Sequence, residues 1–177
     1  MPLPIAHGFV GASIVAATLP DASPARTWKL LLLGAALSVA PDLDYFFPAT
    51  EWHRGFTHSL VFAATVSLIC FAVVGRRNIR AAAGCAGAVF SHALLDYATT
   101  KTMPGVELLW PFSTRRFGLG LIDYYDVTGV DPMYFMAKGV LRDLMKAGLT
   151  ELIIFAPLLL FVLSLKWSLS KRPRATL

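Results

Sequence analysis

Five apolar stretches alternate with polar connections along this chain, at residues 3–19, 28–42, 58–75, 81–97 and 151–168. No other feature constrains the fold as strongly. Each stretch approaches the roughly 20 residues that an α-helix needs to cross a bilayer. The second is short unless it tilts or extends through Tyr45 to Phe47. Of 177 residues, 56% are hydrophobic and 15% charged, with a mean hydropathy of +0.61; soluble domains carry more charge. The expected fold is all-α: a polytopic membrane helix bundle of about five transmembrane helices, forming one domain over residues 1–177. Between the fourth and fifth stretches, residues 98–132 are rich in Pro, Gly and aromatics, which predicts an ordered interfacial loop. Residues 133–147 read as one further helix, interfacial or re-entrant. No basic residues precede the first stretch, so a cleaved signal peptide is not expected.

The net charge of +5 is clustered beside the apolar runs, which points to membrane flanks and excludes nucleic acid as the expected partner. Arg76, Arg77 and Arg80 follow the third stretch, and Lys166, Lys171, Arg172 and Arg174 lie in the tail. The positive-inside tendency places both inside, which gives an N-out, C-in topology. Cys70 and Cys85 lie within apolar runs and read as small buried side chains.

Counting crossings brings the polar residues together. His7 lies at the outer end of the first helix, Asp42 and Asp44 close the second, and His53 and His58 open the third. His92 and Asp96 end the fourth. Thus all four histidines and three aspartates meet on one side of the membrane. Reversing the absolute orientation does not separate them. Four-residue spacing adds detail: His92, Ala88 and Gly84 share a face, as do Asp42, Ser38 and Gly34, and His7, Gly11 and Val15. Small residues let membrane helices approach closely, so these faces should point into the bundle. Below His58 lie Phe62 and Thr65, which break the pattern.

Taken singly, each residue has an ordinary reading. His7 alone is a packing histidine, His92 with Asp96 a hydrogen-bonded pair, Asp42 and Asp44 helix-end acids, and His53 a loop side chain. Together they are costly in a membrane unless something neutralises them. A divalent cation does so. Imidazole and carboxylate donors suit Zn²⁺ first, with Mn²⁺ or Fe²⁺ as alternatives, and the donor number allows one to three ions per chain.

The segments "PDLD", "HRGFTHS", "SHALLDYATT" and "LLWPFSTRRF" resemble the signature segments of the YdjM family, inner-membrane proteins described as membrane-bound metal-dependent hydrolases. The resemblance runs from His7 to about Pro132. Carried over by motif, it implies His7, Asp42, Asp44, His53, His58, His92 and Asp96 as metal-site residues. It also implies Asp131, although the longer approach "GLIDYYDVTGVDP" leaves Asp123 or Asp126 as alternatives. More remotely, the His-x-x-x-Asp pair is similar to ligand pairs in zinc-dependent phospholipase C. The expected function is hydrolysis of phosphoesters, including phospholipid headgroups, at the outer face of a prokaryotic inner membrane. Asp44 would bridge metals or orient a water, Arg54 would steady a phosphate, and Arg115 and Arg116 would attract an anionic headgroup. Those two arginines read equally as interfacial anchors beside Trp110 and Phe112. Membrane lipids are the expected partners. Metal binding without catalysis, or transport, remains the alternative. The sequence does not define the oligomeric state.

Overall fold

The structure, a computed structural model, describes residues 2–19, 24–46, 54–101, 105–122, 124–129 and 140–170. These form α1 (Pro4–Thr18), α2 (Pro24–Val39), a 3₁₀ helix (Ala40–Phe46), a 3₁₀ turn (Phe56–His58) and α3 (Leu60–Cys70). A π turn (Phe71–Gly75) extends α3, and α4 (Ile79–Thr99), α5 (Tyr124–Thr128) and α6 (Val140–Ser170) follow. The all-α expectation holds: the described residues contain no strand beyond an isolated bridge between Val106 and Phe117. On length and composition, residues Leu141–Leu169 are apolar enough to cross a membrane, whereas Pro4–Thr18 and Leu60–Gly75 are apolar but shorter.

Local chemistry sets several of the boundaries. Pro41 lacks an N–H and disfavours α geometry in the residue before it, and α2 stops at Val39. Asp42 therefore sits on the 3₁₀ helix that follows, not at the end of α2 as the apolar run implied. The Ser59 side chain accepts from the Phe62 N–H and caps α3, which leaves His58 outside the helix. His58 therefore does not continue the helical face that Phe62 and Thr65 occupy on α3. Asn78 caps α4 in the same way, through the Ala81 N–H.

The last part of the chain differs from expectation. A separate interfacial helix and a final crossing were expected, with a break between residues 147 and 151. Instead α6 runs unbroken from Val140 to Ser170, with Pro157 inside it. Residues 146–150, with Lys146, Gly148 and Thr150 among them, form one more turn of this helix. Residues 133–139 lie outside the described residues.

The helix α1 packs against α2, α4 and α6, while α4 also meets α2 and α3. Contacts within this group are backbone-close. A Cβ on Gly34 would lie 2.6 Å from Val15 Cγ2 and 2.8 Å from the Gly11 carbonyl oxygen. One on Gly11 would strike the backbone of Gly34, and one on Gly84 would strike Thr18. The glycine stripes thus face inward, as their spacing implied. Ala6, Ala82, Ala88 and Ala93 are buried, whereas Leu68, Val73, Ile153 and Leu160 are two-thirds exposed or more. Small side chains inside and large apolar ones outside invert the arrangement that water selects.

Both ends of α1 are tied to α6. Its N-cap, Leu3, contributes no side-chain bond. Glu151 instead accepts from the Leu3 N–H and, at 2.9 Å, from the Ala6 N–H. At the far end Lys166 Nζ donates to the carbonyls of Ala16 (3.1 Å) and Leu19 (2.6 Å). Acid at the N-terminus and cation at the C-terminus match the helix dipole. Glu151 precedes Lys166 as Leu3 precedes Leu19, so α1 and α6 run parallel.

The loop after α4 is ordered, as its composition implied. Val106 and Phe117 exchange backbone hydrogen bonds of 2.9 Å in both directions. The loop is stitched to its surroundings by Glu107 N–H to Arg54 O, Leu60 N–H to Leu108 O, and Leu119 N–H to Tyr97 O. It thereby straps the start of α3 to the end of α4.

Candidate metal centre

Four elements bring the polar residues to one end of the bundle. The first turn of α1 carries His7, and the 3₁₀ helix after α2 carries Asp42 and Asp44. The turn before α3 carries His58, and the last two turns of α4 carry His92 and Asp96. His7, His58, His92 and Asp96 are fully buried, and the Asp42 side chain is 12% exposed. Asp42, His58, His92 and Asp96 each present one donor atom, and these atoms lie within 4.8 Å of one another. The group can hold a metal ion.

The donors alternate. His58 Nε2 lies 3.5 Å from Asp42 Oδ1 and 3.4 Å from Asp96 Oδ2. His92 Nε2 lies 3.6 Å and 3.7 Å from the same two oxygens. Nitrogen and oxygen thus occupy alternate corners around a common centre. Asp96 turns its other oxygen, Oδ1, toward His7 Nε2 at 3.3 Å. The His7 ring stacks on that of His92, with centroids 4.0 Å apart.

Buried polar atoms are almost always hydrogen-bonded. Here Asp42 Oδ1, His92 Nε2, both carboxylate oxygens of Asp96 and both ring nitrogens of His7 are buried with no hydrogen bond among the described residues. Such a concentration would be expensive to fold around. Asp42 Oδ1, His92 Nε2, the two Asp96 oxygens and His7 Nε2 lie close to one another and are of the type that could ligate a cation; His7 Nδ1, whose lone pair diverges from that of Nε2, is left out of such a set.

The opposite edges of two rings are held. His92 Nδ1 donates to the Ser38 carbonyl at 2.7 Å, which leaves Nε2 as the donor facing Asp42 and Asp96. Ser38 itself is fixed by the small-residue contact of α2 with α1, so packing reaches the ring through one hydrogen bond. His58 Nδ1 lies 3.0 Å from Thr57 Oγ1, and Thr57 Oγ1 donates to Asp44 Oδ2 at 2.5 Å. Asp44 Oδ2 is itself 3.5 Å from His58 Nδ1. Backing partners of this kind set the tautomer and orientation of ligating histidines.

The family model described as "YdjM inner membrane protein" matches residues 1–175. The chain belongs to the YdjM family. A YdjM-type assignment agrees with a curated relative, "Inner membrane protein YbcI" of Escherichia coli (strain K12). It is 39% identical over 129 residues, covering 66% of this chain and 72% of that protein. No solved structure gives a significant match.

The structure distributes the expected residues of this YdjM chain unevenly. His7, Asp42, His58, His92 and Asp96 come together. Asp44 is close but stands on the Nδ1 side of His58, away from the shared centre. His53, Asp123 and Asp131 lie outside the described residues, and Asp126 is exposed on α5. Arg54 is buried in a left-handed backbone conformation (φ 67°) in the turn leading to His58. Arg116 Nε pairs with Glu107 at 3.3 Å, and the Arg115 guanidinium sits over the Phe117 ring at 5.6 Å. Sequence reasoning missed Thr57 and the Ser38 carbonyl. Thr57 had a signal, since it adjoins His58 in "HRGFTHS". A backbone carbonyl leaves none.

Proposed function

We propose that this YdjM-family chain is a membrane-embedded, metal-dependent hydrolase of phosphoesters, with its site at the outer membrane interface. The observation that carries the reading is the convergence of buried donors at one end of the bundle. Four imidazole and carboxylate donors within 4.8 Å of one another are a set that zinc accepts. A cation held by Asp42, His58, His92 and Asp96 would supply Lewis acidity toward a water and a phosphoryl oxygen. His58 and His92 bind through Nε2, with rings oriented by Thr57 and Ser38. Asp44 acts through His58, by way of Thr57. Asp96 offers its second oxygen to a position shared with His7. Arg54 steadies the phosphate, and Arg115 and Arg116 draw anionic headgroups toward the loop.

The same reading takes the bundle as five crossings, N-out and C-in. The outward-facing Leu, Ile and Phe side chains and the parallel run of α1 and α6, as first and fifth crossings must be, support it. Cysteines introduced at exposed Arg77 and Lys101 in a Cys-free background should then react with an impermeant thiol reagent from opposite faces. Labelling from one face would remove the five-crossing count.

One observation favours metal holding without catalysis. Four protein donors fill a tetrahedral ion, and catalytic zinc keeps a position open. Purified protein should release zinc to a chelator and lose phosphoesterase activity on a panel of substrates, with activity restored by zinc. Bound zinc with no chelator-sensitive turnover on any phosphoester would establish the non-catalytic reading.

A further inference from the structure

The buried carboxylate of Glu151 lies outside the cluster, on α6, and is 1% exposed. It accepts hydrogen bonds from the backbone of α1, at the N–H groups of Leu3 and Ala6. We infer that Glu151 is the positioning residue for His7, acting through the first turn of α1. The inference rests on the metal-centre reading above.

The three histidines of the cluster are held differently. His58 is backed by Thr57 and Asp44, and His92 by the Ser38 carbonyl. His7 has no such backing: neither ring nitrogen makes a hydrogen bond among the described residues. The ring's place is set by its stack on His92 and by the position of its own backbone. That backbone begins with a turn that cannot cap itself, with Leu3 at the N-cap and Pro4 next. An uncapped first turn frays, because its leading N–H groups have no intrahelical acceptor.

Glu151 supplies the missing acceptor from another helix. One carboxylate takes the N–H of the N-cap residue and the N–H three residues later, the two donors that a capping box satisfies within a single helix. The second of these bonds fixes the Ile5–Ala6 peptide, one residue before His7. One turn earlier on α6, a Cβ on Gly148 would come within 3.1 Å of Ile5 Cδ1, so the two helices are already close there. A carboxylate at a helix N-terminus also gains from the dipole, and more so away from water. Lys166 ties down the opposite end of α1, three turns beyond His7. Loss of Glu151 loosens α1 at the ligand, while loss of Lys166 loosens it far away. This asymmetry separates positioning from mere support.

The test uses the full chain in detergent, as wild type, Glu151→Gln, Glu151→Ala, Lys166→Met and His92→Ala. Two readouts are taken: zinc affinity by chelator competition, and carbethoxylation of His7 in metal-free protein, located by mass spectrometry. Glu151→Ala should weaken zinc binding on the order of tenfold or more, the range typical of lost outer-shell support, and should speed His7 modification. Glu151→Gln keeps one acceptor and should show both effects more weakly; it answers the question if the alanine variant does not fold. Lys166→Met should lower the melting temperature yet leave both readouts at wild-type values. Wild-type His7 reactivity in the folded Glu151 variants, or an equal rise in Lys166→Met, overturns the inference. Zinc that binds and is lost in His92→Ala, with His7 reactivity indifferent to Glu151, overturns the positioning role alone. His7 reactivity that follows Glu151 in a protein that binds no zinc supports positioning and overturns the metal reading.

Discussion

Two successive layers of the same helices are both buried, and their chemistry is opposite. In the lower layer Gly11, Gly34 and Gly84 bring α1, α2 and α4 together until backbone touches side chain. In the upper layer, toward one end of the bundle, stand His7 on α1, Asp42 on the 3₁₀ helix after α2, and His92 and Asp96 on α4. The lower layer's hydroxyls are satisfied within it, Thr18 by carbonyls of its own helix and Ser38 by Ser91, and it gains from close contact. The upper layer has donors in excess and gains only if a cation neutralises them. The lower layer therefore acts as the spacer for the upper one. Helices separated by larger side chains could not bring His7 to 3.3 Å from Asp96 and Asp42 to 3.6 Å from His92.

The comparison breaks most severely if the spacer is enlarged. Gly34→Leu places side-chain atoms where Val15 and the Gly11 backbone already sit. Overpacking costs about 1–3 kcal/mol where a core can yield; two facing backbones yield little. The expected result is loss of the thermal transition in detergent together with loss of bound metal. A variant that melts normally and keeps its metal would show the two layers to be independent.

A change confined to the upper layer should be milder. Asp44→Asn keeps the shape around Thr57 and His58 but removes the charge behind the ring. Zinc affinity should fall by about 10- to 100-fold, as for other outer-shell partners of ligating histidines, with the melting temperature of the metal-free protein little changed. Equal loss in Thr57→Val would assign the effect to the Asp44–Thr57–His58 chain. An unaffected Thr57→Val would leave direct contact of Asp44 with the ring as the cause.

The smallest effect is expected at the rim. Trp110 packs on Phe56 at 5.7 Å, and Phe112 is 87% exposed, as suits aromatic rings at headgroup depth. Replacing both with serine should reduce turnover of vesicle-borne phosphoester several-fold more than turnover of a small soluble one, in line with the roughly 1 kcal/mol scale of a surface ring contact. Equal reduction of both activities would move the loop from substrate presentation to folding.

Much of this was legible before any coordinates. The i, i+4 pattern carries the glycine stripes and the His92–Asp96 pair, because helix periodicity is a local property. The convergence of His7, Asp42, His58, His92 and Asp96 followed from parity of crossings alone. What escaped was non-local or carried by the backbone. Glu151 at the edge of an apolar run looks like a water-boundary residue; its partner amides lie at the other end of the chain. The continuity of α6 was hidden by Lys146, Gly148 and Thr150, whose local signal is that of a break. The pairing of Arg116 with Glu107 follows no periodicity, since the loop folds back through the Val106–Phe117 bridge. Asp44 was visible as a candidate, but whether it faces the shared centre or backs His58 depends on the 3₁₀ helix Ala40–Phe46.

The central claim is that the upper layer is held together by a metal ion, with Asp96 at its centre. The direct measurement is the zinc content of purified wild type and Asp96→Asn, by elemental analysis after exhaustive washing, beside a melting curve of each. Asparagine keeps the size and one acceptor oxygen of aspartate but not its charge. The account predicts at least one zinc per wild-type chain, close to none in Asp96→Asn, and a folded variant in detergent. Equal zinc in both proteins, or none in either, would contradict it.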